Sequence, residues 1–308
     1  MLLKKHPSPL PISDDYLKYP KRRYGMDHDR YDWSMLPKRK TVEWPNKARI
    51  ALWITVALEW FPLDQQGKPF KALGSLQTAY PDLRHYTLRD YGNRVGIFRV
   101  MKALEKHGIR ASAAVNAAVA LRYPSVIETI RQKRWEIVGH GLDMDHLHYE
   151  GMSGEKELIA KCVSVLKPRG WLSPARSESA QTPDLLAEAG VEYLCDWAND
   201  DMPYAFRTNG RDLVAMPLSG DIDDAALLVG MRHDEDEVLV QLTDQFDLLY
   251  EEAAKHGGRI MSVTLHPWSI GQPYRIGTLE RALEHFMRHP GVWPATGSEI
   301  LDAWRKQQ

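Results

Sequence analysis

From about residue 49 onward, short apolar runs alternate with longer stretches in which apolar residues return every third or fourth position. A run of four to eight apolar residues fits a strand buried on both faces, and the longer period fits an amphipathic helix. "RIALWITVAL", "RASAAVN", "WEIVGH", "GWLSP", "VEYLCD", "RIMSVTLH" and "VWPAT" read as strands. "YGNRVGIFRVMKALEKHGI" reads as a helix with Val95, Phe98, Met101 and Leu104 as its apolar stripe and Gly108 as its stop. "PSVIETIRQK" opens at a proline. "TPDLLAEAG" adds a threonine cap and a glycine stop, and "SGEKELIAKCVSVL" carries acids in its first turn. "DEVLVQLTDQFDLLYEEAAKHGG", "TLERALEHFMRH" and "SEILDAWRK" complete the helices. This is an α/β chain of seven or eight βα units, a count that matches a β/α barrel. An open dinucleotide-binding sheet needs a glycine fingerprint after its first strand, and "VALEWFPLDQQG" has none.

Residues 1–48 have a different texture. "DHDRYDWSMLPKRKTVEWP" is rich in charge, proline and aromatics, without an apolar period. Tyr31, Trp33 and Trp44 have little use in a solvated tail, so this segment is expected to be an extended arm lying on the barrel of residues 49–308 or on a neighbouring subunit.

Charge and cysteine content remove several function classes. Forty Lys and Arg against 41 Asp and Glu give a net charge of −1, with no basic face for nucleic acid. Two cysteines make neither a disulfide framework nor a zinc ribbon. The opening residues lack the apolar core of a secretion signal, and no run reaches the length of a membrane span. A cytoplasmic protein with no membrane partner is expected.

In a β/α barrel the chemistry sits at the C-terminal ends of the strands. Those ends carry Glu59, Asn116, His140, Ser173, Asp196 and His266, a set of acids, imidazoles and hydrogen-bonding groups. An acid such as Glu59 at the end of a largely apolar run is costly to bury alone. It is either paired with an arginine across the barrel mouth or catalytic. His140, flanked by glycines in "VGHG", and His266, in "TLHPW", are each a buried structural histidine or an acid/base group. Trp60, Asn116, Ser173, Trp197 and Asp201 are the expected substrate contacts. The loop "EIVGHGLDMDHLHYEG" concentrates His140, Asp143, Asp145, His146 and His148. His148 reads as ordinary loop surface.

"YGNRVGIFRVMKALEKHGI", "EIVGHG", "GWLSPARSESAQTPDLLAEAG", "NDDMPY", "LHPWSIGQPYRIG" and "GVWPATGSEI", in this order and spacing, resemble the polysaccharide deacetylase superfamily with its NodB-type domain. The resemblance is to the branch that holds cofactor-free allantoinases, cyclic imide hydrolases and a peptidoglycan deacetylase, and it implies a distorted (β/α)7-type barrel. It implies hydrolysis of a carbon–nitrogen bond in a small cyclic or linear amide, or removal of an N-acetyl group, by a dimer or tetramer. It implies a first motif with two neighbouring acids, where this chain offers Glu59 alone in "TVALEW". It implies His-x-x-x-His, where His140 is followed by Met144, and an arginine that orients the base, where Leu172 stands. The Leu265–His266 motif is intact.

Two mechanisms follow from these departures. In the leading one, no metal is used. Glu59 or His140 activates water and His266 protonates the leaving nitrogen. In the other, a divalent metal such as zinc is held by Glu59, His140 and His146, or by Asp143 or Asp145 from a loop about two residues longer than in the allantoinases. The latter suits an N-deacetylase of a sugar or peptidoglycan-type substrate. A catalytically degenerate, ligand-binding barrel is a third expectation.

Overall fold

The computed structural model describes residues 28–66 and 81–308. Its centre is a curled, mostly parallel sheet. The strands are β1 (Ile50–Leu58), β2 (Ser112–Val115), β3 (Glu136–Gly139), β4 (Gly170–Trp171), β5 (Tyr193–Leu194), β6 (Tyr204–Phe206), β7 (Leu213–Ala215), β8 (Arg259–Leu265) and β9 (Val292–Pro294). Their order is β6-β7-β5-β4-β3-β2-β1-β8, with β9 also on β1. Among the described residues only β6 runs antiparallel to its neighbour. β1 is the hub: Thr55–Leu58 pair with Ser112–Val115, and Ile50–Val56 pair with Arg259–Leu265.

All nine residues of β1 are buried. Alternation decides what each one meets. Ile50, Leu52, Ile54, Val56 and Leu58 point outward into the layer shared with the helices. Ala51 and Trp53 point inward and pack with Ala114, Val138, Leu172, Tyr193 and Cys195, which fill the barrel. This is the β/α barrel that the βα alternation predicts. Among the described residues no ladder joins β7 to β8. The segment after β7 covers that gap, with Asp223 forming a single parallel bridge to Thr264.

The helices are α1 (Leu83–Tyr91), α2 (Ile97–Lys106), α3 (Ala117–Arg122), α4 (Pro124–Gln132), α5 (Glu155–Leu166), α6 (Thr182–Glu188), α7 (Glu235–His256), α8 (Ile276–Met287) and α9 (Gly297–Arg305). A π turn at Gly92–Gly96 joins α1 to α2. It changes the buried face from the one the sequence suggests. Val95 and Phe98 are exposed, at 38% and 47%, while Ile97, Val100, Met101 and Leu104 are buried. The extra residue in each π-type ring rotates the preceding turn relative to a regular α-helix. The threonine of "TPDLLAEAG" is the first helical residue rather than the cap, and its hydroxyl accepts from Ser179 N at 2.8 Å. The strands β6 and β7 and the π turn Ala225–Met231 have no counterpart in the apolar pattern.

The arm residues from His28 to Ala48 lie on the barrel. Arg30 is paired with Asp184 at 2.8 Å, Arg39 with Asp200 at 2.7 Å, and Trp44 is buried with its indole N–H on Arg259 O at 2.9 Å. Tyr31 packs edge-on against Trp197 and Tyr204. Trp33, by contrast, is 64% exposed. Residues 1–27 of the expected arm lie outside the described residues.

Gly92 and Gly96 face the turn that follows β8. A Cβ on Gly92 would stand 2.7 Å from Trp268 N, and one on Gly96 would overlap the carbonyl of Pro267. Gly96→Ala is expected to destabilise the fold by ~1–3 kcal/mol, since two main chains cannot both keep their places. Turnover should fall with it, because the displaced turn carries His266. Urea denaturation alongside an activity assay checks this, and an unchanged midpoint contradicts it.

Candidate active site

The strand ends converge on a pocket of about 320 Å³. It is lined by Glu59, Arg89, His140, Met144, Leu172, Ser173, Arg176, Asp223, Thr264, His266 and Trp268, among others. Glu59, His140 and His266 follow directly on β1, β3 and β8, and all three are buried.

Glu59 is clamped on one oxygen. Its Oε2 accepts from the indole N–H of Trp268 at 2.9 Å and from Nε of Arg89 at 3.4 Å. The Arg89 guanidinium lies over the Trp268 ring, 4.3 Å from its centre, so the clamp is itself packed. Oε1 faces His266, with Nε2 3.7 Å away. Burial opposes ionisation of Glu59, but the positive charges of His266 and Arg89 outweigh it and hold the carboxyl below its usual range.

His266 is fixed from the other side. Asp224 Oδ1 accepts from the backbone N of His266 at 2.6 Å and from its Nδ1 at 2.9 Å, and Asp224 Oδ2 accepts from Ile270 N at 2.9 Å. Asp223 Oδ1 is 3.4 Å from the same Nδ1. Burial pulls the imidazole down, yet Asp223, Asp224 and Glu59 push it up to about 10. His266 is therefore an imidazolium at neutral pH, with Nε2–H turned toward Glu59.

His140 is the opposite case. Its Nδ1 is 2.6 Å from Leu172 O, and a carbonyl only accepts, so Nδ1 carries the proton and Nε2 the lone pair. Burial pushes this imidazole below its usual value, against the pull of Glu59. One pocket thus holds a carboxylate, a neutral imidazole and an imidazolium.

The remaining expected residues are placed as follows. Ser173 lines the pocket, pinned by its backbone N on Asp196 Oδ1 at 2.7 Å. Asp196 shares a buried carboxyl pair with Glu178, whose own carboxyl is pushed up to about 9 by burial and by Asp196. Asn116 joins two strand ends, accepting from Trp60 N at 2.7 Å and donating to His140 O. Trp60 packs away from the pocket, beneath Tyr86, Tyr123 and the Arg122 guanidinium. Trp197 donates to Glu178 at 3.1 Å inside an aromatic cluster with Tyr31 and Phe206. Asp201 is exposed on its loop. Of the five expected substrate contacts, Ser173 alone is at the pocket.

The polar loop after His140 turns out to be scaffolding. Asp143 Oδ1 accepts from the backbone N of Asp145 and of His146, both at 2.9 Å, and from His146 Nδ1 at 2.8 Å. Asp145 holds Gln66 N. His148, expected on the surface, is buried with Nδ1 3.2 Å from Glu155, under the start of α5. Met144 is buried against Phe61 and forms part of the pocket wall.

No family model matches the chain. It is 26% identical over 239 residues to a protein of Schizosaccharomyces pombe assigned to the polysaccharide deacetylases, covering 70% of this chain and 74% of that one. It is 22% identical to the peptidoglycan deacetylase of Helicobacter pylori, covering 70% of this chain and 86% of the relative. The crystal structure of PuuE allantoinase superposes with a TM-score of 0.81 at 27% identity, over 90% of this chain and 98% of that one. The structure of a probable polysaccharide deacetylase from Pseudomonas aeruginosa gives 0.79 at 26% identity, over 88% and 95%. In sequence and in fold the chain is thus similar to polysaccharide deacetylases and to an allantoinase.

Metal use is the expectation to test against the residues present. His140 Nε2 and Glu59 Oε1 reach the pocket, but among the described residues they belong to no group of three carboxylate, imidazole or thiol ligands lying within 4.8 Å of one another. The His146 ring is tied to Asp143 and is not part of the pocket lining, so Glu59, His140 and His146 are not brought together. Asp223, Asp224 and His266 have ligand atoms within 4.8 Å of one another, but the protonated His266 Nδ1 already donates to Asp224. A hydrolytic zinc site takes three protein ligands and keeps one position open. The set here falls short, and a thioether at Met144 does not suit a hard or borderline cation. Arg89 stands where an arginine is wanted against the acid, although Leu172 fills the expected position.

Proposed function

We propose that this protein hydrolyses a carbon–nitrogen bond in a small cyclic or linear amide without routing the reaction through a metal. The class itself, a hydrolase of carbon–nitrogen bonds other than peptide bonds, rests on the similarity to deacetylases and an allantoinase. The observation that supports the finer reading is the opposed charge state of two groups 3.7 Å apart, an ionised Glu59 and a protonated His266. Each environment favours one task, a base and an acid. Glu59 Oε1 takes a proton from water as the water attacks the carbonyl carbon. His140 Nε2 accepts a hydrogen bond from the water's other O–H, which stays on oxygen, and so orients it. His266 Nε2 gives its proton to the leaving nitrogen, and Asp224 steadies the ring throughout.

The experiment is a panel of imides, hydantoins, allantoin and N-acetyl sugars, assayed before and after exhaustive chelation. The expected result is turnover of a small amide or imide that survives the chelator. Turnover of N-acetyl sugar alone, lost on chelation and restored by zinc, overturns the proposal in favour of a metal-dependent deacetylase. The bare Nε2 of His140 is the one feature that favours that second reading.

A further inference from the structure

The mechanism above leaves one charged group in the pocket unused. Arg176 lies between β4 and α6, in a short turn where Ala175 and Arg176 both take left-handed backbone angles, φ +53° and +52°. Non-glycine residues pay for that conformation, by about 1–3 kcal/mol each, and such strain gathers at ligand sites. The turn aims the guanidinium along the pocket wall. Nη1 donates to Leu218 O at 2.9 Å and Nη2 to Ser219 O at 3.0 Å. Both acceptors are neutral. Among the described residues, the other three N–H donors of Arg176 meet no acceptor, and no carboxylate lies within 4 Å.

Four other sheltered arginines, Arg30, Arg89, Arg259 and Arg275, each touch a carboxylate, at 2.8, 3.4, 3.1 and 3.1 Å. Arg99 meets only neutral acceptors as Arg176 does, but it is not part of the pocket lining. Within the pocket the other charges are already matched. Glu59 meets Arg89, and Asp224 meets His266. Asp223 Oδ1 lies 3.4 Å from His266 Nδ1. The charge of Arg176 is felt inside the site, since it helps to keep His140 from taking a proton. Close by, the buried Thr264 hydroxyl, also on the pocket wall, has no hydrogen-bond partner among the described residues.

We propose that Arg176 is the specificity-determining residue of this pocket: it binds a carboxylate on the substrate, which is therefore a small amide bearing one negative charge rather than a neutral N-acetyl sugar. A guanidinium fork matches a planar carboxylate through paired N–H donors. A volume of about 320 Å³, at the small end of ligand pockets, suits a compact amide acid. This rests on the reading of the site as a small-amide hydrolase, and the test separates the two.

Binding is measured first, without turnover, by calorimetry on the full chain with succinate and with succinamide. Wild type is expected to bind succinate about 10- to 100-fold more tightly, the range for hydrogen bonds to a charged group. Arg176→Gln should erase the difference, and Arg176→Lys should keep part of it, because the charge stays and the fork is lost. Turnover is then compared for hydantoin-5-acetate and its neutral methyl ester. The preference in kcat/KM for the acid should collapse in Arg176→Gln through KM. Equal binding of succinate and succinamide by wild type overturns the proposal, whatever the variants do. Equal loss on both substrates through kcat also overturns it and makes Arg176 an oxyanion stabiliser. Succinate binding that depends on Arg176, with no turnover of any amide, supports the anion site while sinking the hydrolase reading.

Discussion

Glu59→Gln is expected to lower kcat/KM by about 10²–10⁴-fold, the usual worth of a general base. The substitution keeps an oxygen for Trp268 Nε1 and removes the basic lone pair that faces His266. It has a second effect that must be separated from the first. Arg89 is buried with Glu59 as its carboxylate partner, and breaking a buried ion pair costs about 3–5 kcal/mol because the other charge stays behind. Some of that is recovered here, since the guanidinium also lies over Trp268 and Phe61. The double substitution Glu59→Gln with Arg89→Met is the control. Replacing both partners by groups of similar volume is often neutral for stability. The double variant is expected to melt near wild type and remain inactive, whereas Glu59→Gln alone melts lower. Wild-type turnover in either variant removes Glu59 from the mechanism.

How much of this was legible in the sequence depends on distance along the chain. Glu59, His140 and His266 are readable because each follows an apolar run directly, so the strand that predicts the fold also places the side chain. Their partners are not readable this way. Arg89 comes from a helix 30 positions beyond Glu59 and reaches it only once α1 folds across the barrel mouth. Asp223 and Asp224 lie 42 positions or so before His266, in "SGDIDDAALL", between a three-residue strand and a π turn, neither of which leaves a periodic signal. The paired acids just before an apolar run were the available clue, a helix-entry pattern. Arg176 follows a proline in a turn whose left-handed angles no residue preference announces.

The polar loop after His140 shows the opposite error. Five side chains with ligand chemistry fall within nine residues, from His140 to His148. Proximity in sequence suggested a shared ion. The loop instead uses Asp143 to cap its own backbone, and it buries His148 under α5, so that only His140 and Met144 face the pocket. Short-range hydrogen bonding by Asp is the commoner use of such residues in a turn.

Asp224→Asn is expected to change the pH dependence of the enzyme in a way that loss of structure cannot imitate. In wild type the His266 imidazole is raised from its ordinary 6.5 to about 10, so the folded state binds a proton that the unfolded state has lost between those values. Its contribution to stability is complete below about 6.5 and disappears as pH rises through about 10; the size is on the order of a few kcal/mol. The acid that protonates the leaving nitrogen is likewise present up to that pH. The alkaline limb of the kcat/KM profile should therefore lie near 10 rather than near neutrality. Asparagine keeps an oxygen for His266 N and removes the charge, leaving Asp223 and Glu59 to hold the imidazolium. The alkaline limb should move toward neutral pH, and the melting temperatures of wild type and variant should converge between pH 7 and pH 10. His266→Ala removes the limb altogether and costs about 10²–10⁴-fold in kcat. A limb that stays put in Asp224→Asn means that the acid is another group. Convergence of the melting curves without movement of the limb would leave His266 a structural cation and the proton to be supplied from solvent.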